Sequence, residues 1–348
     1  MVKMLLQEMD LRKAYLSPFL SQSDLIHTLY FGGGTPSLLA AEEIALLIRK
    51  TKEVLKVDSF KELTLEANPD DLVPDYLRQL ADVGINRLSI GIQSFHDAHL
   101  KWMRRRHNAQ QAIDSVKNAQ RAGFENITID LMYGLPMLTL DEWRHDIEQA
   151  LALNVSHISA YHLSVEPRTL LGRQQQKGAL VLQDEQKSLD QFHLLRDLLI
   201  DAGYEHYEVS NFARAGRQAI HNSAYWHQQP YWGIGPSAHS FDGKSRQWNV
   251  ANNIRYMEAI EKEGVFFEKE ILTVDMRYNE YLLTTLRTTM GADLSEIKNL
   301  FGESKKNYCL QQAQKFLDSG KLQIMQDQLT IPPEHFFVSD RIISELFI

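Results

Sequence analysis

The sequence of 348 residues contains a single cysteine, Cys309. One cysteine excludes an intramolecular disulfide, which is typical of a cytoplasmic protein, and cannot supply the several thiolates that hold an iron–sulfur cluster. No segment approaches the roughly 18 consecutive apolar residues of a transmembrane helix. The sequence therefore predicts a cytoplasmic protein without a membrane span.

Positive charge is also scarce, since 37 Lys and Arg residues face 45 Asp and Glu residues and leave a net charge of −8. This balance argues against a nucleic-acid partner, which is bound mainly through its phosphates. The hydrophobic share of 44% and the charged share of 24% are typical of a soluble globular protein with one large and one smaller domain.

Short β-rich segments alternate with helical patterns in the first half of the chain, which is typical of βα units and a parallel sheet. The predicted strands are 26–31, 62–66, 87–92, 126–132 and 157–163, and the predicted helices between them are 41–55, 75–83, 109–122 and 140–153. Gly84, Gly123 and Asn154 follow three of these helices, as expected of helix C-caps.

Polar residues stand at the end of each predicted strand: Gly32 to Thr35, Glu66, Gln93, Asp130 and His162. In a parallel (β/α) barrel these ends form the face where active sites are built. An open doubly wound sheet would also gather them, so the pattern leaves a full barrel, a partial barrel and an open sheet as alternatives.

The second half of the chain loses this alternation. A helix is predicted over 184–201 and a strand over 204–209, and residues 214–249 form a long irregular segment, which is more often functional than decorative. Helices at 279–290, 294–301 and 308–319 and a hairpin at 322–331 suggest a winged-helix-like module. The acidic charge favours a packing or lid role for it over DNA binding. The predicted divisions are 1–213, 214–275 and 276–348.

Each motif allows a functional and a structural interpretation. Three glycines before a helix could bind a negatively charged group of a ligand, or could simply form a tight turn. The Lys of a nucleotide-hydrolysing loop is absent. A strand-end carboxylate such as Glu66 needs a partner, which a ligand or Arg105 could provide. Gln93 and Asp130 could bind a ligand or serve as turn residues, and Arg105 could pair with a carboxylate or lie in an exposed basic run.

The segment from His221 to Trp226, followed by Tyr231, Trp232 and His239, is the second concentration of functional residue types. Imidazole ligates iron, and flat aromatic rings line sites for flat apolar ligands. A hydrogen-bonded loop histidine is the structural alternative for His221.

Six ordered motifs resemble the HemW branch of the radical S-adenosylmethionine (SAM) proteins, which is similar to oxygen-independent coproporphyrinogen III oxidase (HemN). They are Phe31-Gly-Gly-Gly-Thr-Pro36, Glu66, Ser89-Ile-Gly-Ile-Gln-Ser-Phe95, Arg105 with His107, Asp130-Leu-Met-Tyr-Gly-Leu-Pro136 and His221-Asn-Ser-Ala-Tyr-Trp226. The resemblance covers nearly the whole chain. It implies an α/β fold, a partial (β/α) barrel of the radical SAM type with a small, mostly helical, winged-helix-like C-terminal domain.

The resemblance also implies cofactors and site residues. The residues expected to hold SAM are Gly33, Gly34, Thr35, Glu66, Gln93, Arg105 and Asp130. Haem is expected at His221, a candidate ligand of the haem iron, with Tyr225 and Trp226 beside it. The implied function is a haem-binding chaperone that delivers haem to an acceptor protein.

The sequence departs from the family pattern in three places. The family holds a [4Fe–4S] cluster with a CxxxCxxC loop after an N-terminal strand, whereas this chain has only Cys309, so we expect it to begin after that loop and to lack the first barrel strand. Arg104 stands where the family usually has Gly, and Met137-Leu138 replaces a usual Gly-Gln. The first departure excludes cluster-based cleavage of SAM by this polypeptide.

Two alternative functions and one possible partner follow from these departures. A longer form that carries the cysteines would be a coproporphyrinogen dehydrogenase, that is, a SAM-dependent oxidative decarboxylase. The other alternative is a catalytically inactive barrel that only binds a partner. A barrel without its first strand leaves an open sheet edge, which a second copy of the chain could cover as a homodimer.

Overall fold

The computed structural model describes residues 1–15 and 26–348. The α-helices are α1 Val2–Leu11, α2 Ala41–Leu55, α3 Pro74–Asp82, α4 Asp97–Trp102, α5 Ala109–Arg121, α6 Leu140–Ala152, α7 Leu170–Gln176, α8 Glu185–Asp201, α9 Ile220–Trp226, α10 Asn253–Glu261, α11 Val274–Thr285, α12 Leu294–Phe301, α13 Glu303–Asp318 and α14 Ser339–Ser344. Short 3₁₀ helices cover Pro36–Leu38, Pro69–Asp71 and Pro333–Val338.

Three sheets contain the strands. These are β1 Thr28–Phe31, β2 Glu62–Ala67, β3 Arg87–Gln93, β4 Asn126–Tyr133, β5 His157–His162, β6 Glu205–Glu208, β7 Asn211–Ala213, β8 His239–Phe241, β9 Ser245–Asn249, β10 Phe267–Ile271, β11 Ala292–Asp293, β12 Gln323–Met325 and β13 Gln328–Thr330. The largest sheet has the order β1-β2-β3-β4-β5-β7-β6.

Strands β1 to β5 are parallel, and β7 runs antiparallel between β5 and β6. Among the described residues β1 and β6 form the two free edges, so the sheet does not close. The architecture is therefore the partial barrel that the family resemblance implied. Of the alternatives that the sequence pattern left open, a closed barrel and a doubly wound sheet are excluded for these residues.

Alternation along the strands gives the sheet one apolar and one polar face. Residues such as Leu63, Leu65 and Ile90 belong to a core that also contains Ile44 of α2 and Ile147 of α6. The opposite, concave face carries polar residues in register on neighbouring strands: Glu62, Thr64, Glu66, Arg87, Ser89, Thr128, Asp130, His157 and Ser159. A sheet with two different faces is what period-2 sequence alternation produces.

Buried polar contacts stabilise the amino-terminal end of this concave face. Arg87 lies 3.8 Å from Glu62 and donates a hydrogen bond to Thr128 Oγ1 at 2.5 Å. Across β5, His157 Nε2 lies 2.8 Å from the Tyr207 hydroxyl. The segment that follows β7 then crosses this end and starts α9, so α9 is placed beside β1.

Helix α1 is attached to the second sheet by a buried carboxylate. Glu8 is fully buried and accepts hydrogen bonds from Arg12 at 2.8 Å, from Asn249 at 2.7 Å and from Tyr256 at 2.5 Å. The backbone N–H of Gly235 donates a further bond at 2.8 Å. A buried charge with this many partners fixes the position of α1.

Most predicted elements are present with small shifts of their ends, and Gly84, Gly123 and Asn154 have the positive φ of helix C-caps. The irregular segment 214–249 is an exception, because it contains α9, β8 and β9. Its helix is short and its strands pair locally, so neither has the length that makes periodicity visible. Apolar residues at helical spacing at the start of the sequence also predict a first helix, which Pro18 would end. The structure has α1 there, and Pro18 lies outside the described residues.

The C-terminal helices share one continuous apolar core with the large sheet, including Tyr278, Ile297 and Ile343. The domain boundaries at 213 and 275 remain a prediction. Arg104, where the resemblance implied Gly, has a φ of +57°, a left-handed conformation that glycine adopts without strain. None of the helices described is both long and apolar enough to cross a membrane.

Candidate functional site

Two cavities lie on either side of Tyr30 and the loop after β1. The first, the polar cavity, has a volume of about 170 Å³ and opens at the carboxyl ends of β1 to β4. It is lined by Gly34, Thr35, Pro36, Ser37, Glu66, Ala67, Asn68, Ser89, Gly91, Gln93, Arg105 and Asp130. The structure thus brings together six of the seven residues that the sequence analysis assigned to SAM. The seventh, Gly33, lies on the side of the second cavity.

The carboxylate of Glu66 is fixed by two donors. The Tyr30 hydroxyl donates to Oε1 at 2.7 Å, and the backbone N–H of Gly33 donates to Oε2 at 3.0 Å. Gly33 and Gly34 have φ values of +73° and +70°, which glycine adopts without a steric penalty. The glycines therefore turn the loop so that its backbone reaches the carboxylate.

Arg105 enters the polar cavity from the segment after α4. Its Nη2 donates to Asn68 Oδ1 at 2.8 Å and to the carbonyl oxygen of Gly91 at 3.0 Å. Burial lowers the pKa of the Arg105 guanidinium from its ordinary value. The sequence also allowed an ion pair between Arg105 and Glu66. In the structure Arg105 instead donates to these two neutral acceptors, so its positive charge remains available to a ligand.

Gln93 is aimed into the cavity by an irregularity in β3. The register between β3 and β4 shifts between Ile90 and Gln93, and Gln93 has a φ of +73°. Bulges of this kind redirect side chains near functional sites. A strained non-glycine residue at the end of a strand supports a binding role over that of an ordinary turn residue.

Asp130 lies in the wall of the polar cavity, where burial, and next the negative charge of Glu66, raise its pKa to about 7. Hydrogen bonds from Ser159 and Ser89 act in the opposite direction. Two carboxylates, one amide and one guanidinium can together bind a ligand that carries hydroxyl, cationic and carboxylate groups.

Two residues from the sequence patterns lie elsewhere. His162 stands at the end of β5, but its Nε2 lies 2.9 Å from Ser188 Oγ and its ring packs edge-on against Phe337. Ser94 donates to Asp146 at 2.9 Å on the helix-covered side of the sheet. The sequence patterns did not indicate Asn68 and Gly91 as site residues. Asn68 lies two residues after Glu66 and Gly91 two before Gln93, so the period of 2 along a strand places each on the same face as its neighbour.

The second cavity, the aromatic cavity, has a volume of about 400 Å³ and lies along the free edge of β1. Residues of α1, α2, β1 and the segment 220–239 line it, among them Leu5, Met9, His27, Tyr30, Phe31, His221, Tyr225, Tyr231, Trp232 and His239. Cavities of this size and apolar character hold cofactor-sized ligands. The sequence analysis missed Met9 and His27, which carry no motif.

His221 is held by contacts with three side chains, those of Thr28, Tyr225 and Tyr30. Its Nδ1 lies 2.7 Å from Thr28 Oγ1, and its Nε2 lies 3.0 Å from the Tyr225 hydroxyl. The imidazole stacks on the ring of Tyr30 with centroids 4.8 Å apart. Because Tyr30 also donates to Glu66, one side chain contacts the key residues of both cavities.

The environment keeps the His221 imidazole neutral. Burial, and next the positive charge of Arg87, lower the pKa of His221 to about 4. A neutral imidazole has one lone pair, which is the form that ligates iron. His221 therefore has the chemistry of an iron ligand, and the cavity beside it is large and apolar.

The three residues of the predicted haem contact are placed differently. His221 and Tyr225 line the aromatic cavity, whereas Trp226 is not among its lining residues. The indole Nε1 of Trp226 is buried without a hydrogen-bond partner in the described part of the chain. His227, on the same helix end, is exposed and outside the cavity lining.

The residues present do not fit an iron–sulfur cluster. Cys309, the single cysteine, is buried in α13 among the C-terminal helices. Within residues 1–15 and 26–348, no three His, Cys, Asp or Glu side chains are grouped so that they could hold a metal ion.

Comparisons with known proteins agree with this geometry. The model of the radical SAM superfamily matches residues 20–150. The heme chaperone HemW of Lactococcus lactis is 38% identical over 276 residues, which cover 79% of this chain and 73% of the relative. The heme chaperone HemW of Bacillus subtilis is 36% identical over 285 residues, covering 81% and 75%.

A solved structure shows the same fold. Coproporphyrinogen III oxidase (HemN) from Escherichia coli superimposes with a TM-score of 0.81, covering 99% of this chain and 82% of that one. Its sequence identity of 20% makes this a likeness of fold alone.

The partial barrel, with its polar cavity at the strand ends, defines a protein of the radical SAM superfamily. Within that superfamily, the extent and identity of the matches show that the chain belongs to the HemW family.

Proposed function

We propose that this protein is a haem-binding chaperone that binds haem in the aromatic cavity and passes it to an acceptor protein. The observation that carries the proposal is the 400 Å³ cavity along β1, whose walls combine aromatic rings with imidazole groups. Imidazole, thioether and phenol are among the side-chain groups that ligate haem iron in proteins. His221 is the proposed iron contact, because its imidazole is neutral and lies in the cavity wall.

We infer that the polar cavity binds SAM as a ligand. The carboxylates of Glu66 and Asp130 suit the amino group and the ribose hydroxyls of SAM, and Arg105 suits its carboxylate. The glycine-lined turn allows the methionyl end to approach the backbone closely. The residues of the polar cavity would bind and orient SAM. The described residues supply no side chains that could hold an iron–sulfur cluster.

A haem titration tests the chaperone proposal. The purified protein is titrated with haem while the Soret band is followed, and His221→Ala is compared with His227→Ala as the matched control. We expect saturable binding, an affinity loss of at least about tenfold in His221→Ala, roughly 1.4 kcal/mol, and little change in His227→Ala. Transfer of the bound haem to apomyoglobin, read from its spectrum, tests release.

Absence of saturable haem binding by the unmodified chain would overturn the haem proposal. The SAM proposal is tested separately by calorimetric titration of Arg105→Ala against the exposed neighbour Arg106→Ala. Weaker binding in the first variant alone supports the site, whereas equal binding in both variants contradicts it.

A further inference from the structure

In the described part of the chain, the Tyr225 hydroxyl makes one hydrogen bond. Its partner is the nitrogen through which His221 would bind iron. The hydroxyl lies 3.0 Å from His221 Nε2. The other ring nitrogen, Nδ1, lies 2.7 Å from Thr28 Oγ1. Both nitrogens of the proposed iron ligand therefore have a hydrogen-bond partner.

The direction of these two hydrogen bonds follows from the acidity of the partners. A phenol is a stronger hydrogen-bond donor than an aliphatic alcohol, so Tyr225 donates to Nε2 and Nδ1–H donates to Thr28. The lone pair of Nε2, which iron needs, therefore accepts the Tyr225 proton.

The surroundings hold the tyrosine ring near the histidine but leave it able to move. The Tyr225 ring packs edge-on against His221, with centroids 5.0 Å apart, and against Tyr231, with centroids 4.7 Å apart. Tyr225 is also 37% exposed, because it lies at the cavity surface. Rotation of an exposed side chain is fast compared with haem binding.

We propose that Tyr225 is a gate that caps His221 Nε2 and competes with haem iron for it. The proposal rests on the proposed haem-binding function and assigns Tyr225 a positioning role. On binding, the hydrogen bond from the Tyr225 hydroxyl to Nε2 breaks and the nitrogen lone pair bonds to iron. No proton is released, because the phenol keeps its hydroxyl proton. The Nδ1 proton also stays on the imidazole ring, where it is donated to Thr28 Oγ1.

The competition has a consequence for haem release. The hydrogen bond between Tyr225 and His221 stabilises the haem-free state. Its free energy is lost when iron binds Nε2, so it lowers the affinity for haem by the corresponding factor. When haem leaves, the hydroxyl returns to Nε2 and opposes rebinding. A carrier that must give up its cargo benefits from an internal competitor of this kind.

Tyr225→Phe tests the gate, because it removes the hydroxyl and keeps the ring. We expect haem to bind about two- to tenfold more tightly than to the unmodified protein, the range for one hydrogen bond. Tyr76→Phe is the control and should leave the affinity unchanged, because it also removes one hydroxyl with one hydrogen bond, to the carbonyl oxygen of Leu39 at 2.8 Å, and Tyr76 lies outside the lining of both cavities. Haem transfer to apomyoglobin should slow in Tyr225→Phe by a similar factor.

A second measurement uses the haem-free protein. Nitrogen-15 NMR of the His221 ring should show Nδ1 protonated, and modification of His221 by diethylpyrocarbonate should be faster in Tyr225→Phe than in the unmodified chain. Equal or weaker haem binding by Tyr225→Phe, with binding by the unmodified chain intact, would overturn the gate alone. No haem binding by the unmodified chain would overturn the proposed function as well.

Discussion

The Glu62 carboxylate accepts a hydrogen bond from the backbone N–H of His221 at 2.9 Å, although 159 positions separate the two residues in sequence. The same carboxylate accepts the N–H of Ile220 at 2.9 Å. A strand residue at the amino-terminal end of the sheet thus anchors the first turn of α9. The position of the proposed haem contact depends on this anchor.

Glu62→Gln should destabilise the protein and loosen α9. The amide has only one acceptor oxygen for the two N–H groups, and Arg87, buried 3.8 Å away, loses its anion. Breaking a buried ion pair costs about 3 to 5 kcal/mol, so the urea midpoint should fall clearly. Hydrogen exchange at the His221 amide should accelerate. Glu53→Gln, on the surface of α2, is the control, and an equal loss in both variants would contradict the anchor.

Glu8→Gln should separate α1 from the second sheet. Glu8 is fully buried and pairs with Arg12 at 2.8 Å, so a neutral amide leaves the arginine without its anion. We expect a loss of about 3 kcal/mol or more in the free energy of unfolding. Glu258→Gln on α10 is exposed and should change it by less than about 0.5 kcal/mol. A small effect in Glu8→Gln would show that α1 is held mainly by its apolar contacts.

Gly91→Ala should weaken ligand binding in the polar cavity. A Cβ at this position would lie 3.1 Å from Arg105 Nη2 and 3.2 Å from Gln93 Nε2, so both side chains must shift. We expect calorimetry to show SAM affinity about tenfold lower, roughly 1.4 kcal/mol. Gly264→Ala, where the nearest atom would be 3.6 Å away, is the matched control. Unchanged affinity in Gly91→Ala would remove Arg105 and Gln93 from the proposed contacts.

Asp130 should make stability fall as pH rises. In the folded protein its pKa is about 7, against an ordinary value of 3.8, so the carboxyl keeps its proton when folded and loses it when unfolded between these values. The unfolded chain therefore binds fewer protons, and the free energy of unfolding decreases as pH rises through this interval. Asp130→Asn should remove at least about 1.4 kcal/mol of that decrease, the equivalent of one pKa unit.

Urea unfolding of the ligand-free protein between pH 4.5 and 8 measures this difference. Glu208 and Asp146 also have raised pKa values, about 7 and about 6, so the slope of the unmodified protein alone is not diagnostic. The difference between Asp130→Asn and the unmodified protein isolates one group. Parallel curves for the two proteins would contradict the raised pKa of Asp130.

The sheet and the polar cavity were predictable because their signals are local. Alternating strands and helices imply parallel strands, and parallel strands bring their ends to one edge, so Glu66, Gln93 and Asp130 were predicted to meet. His162 shows the limit of this reasoning. Its position at the end of β5 was correct, but its ring packs on Phe337, because contacts with a distant segment decide the direction of a side chain.

The sequence by itself determined the βα order, the helix ends at Gly84, Gly123 and Asn154, and the set of polar residues at the strand ends. These follow from hydrophobic periodicity and backbone preference, which act over a few residues. Only the tertiary structure decided that α9 lies beside β1, that Tyr30 joins Glu66 to His221, and that Tyr225 caps the His221 nitrogen. The physical reason is that each of these contacts joins segments whose separation in sequence leaves no local pattern, so long-range packing alone brings them together.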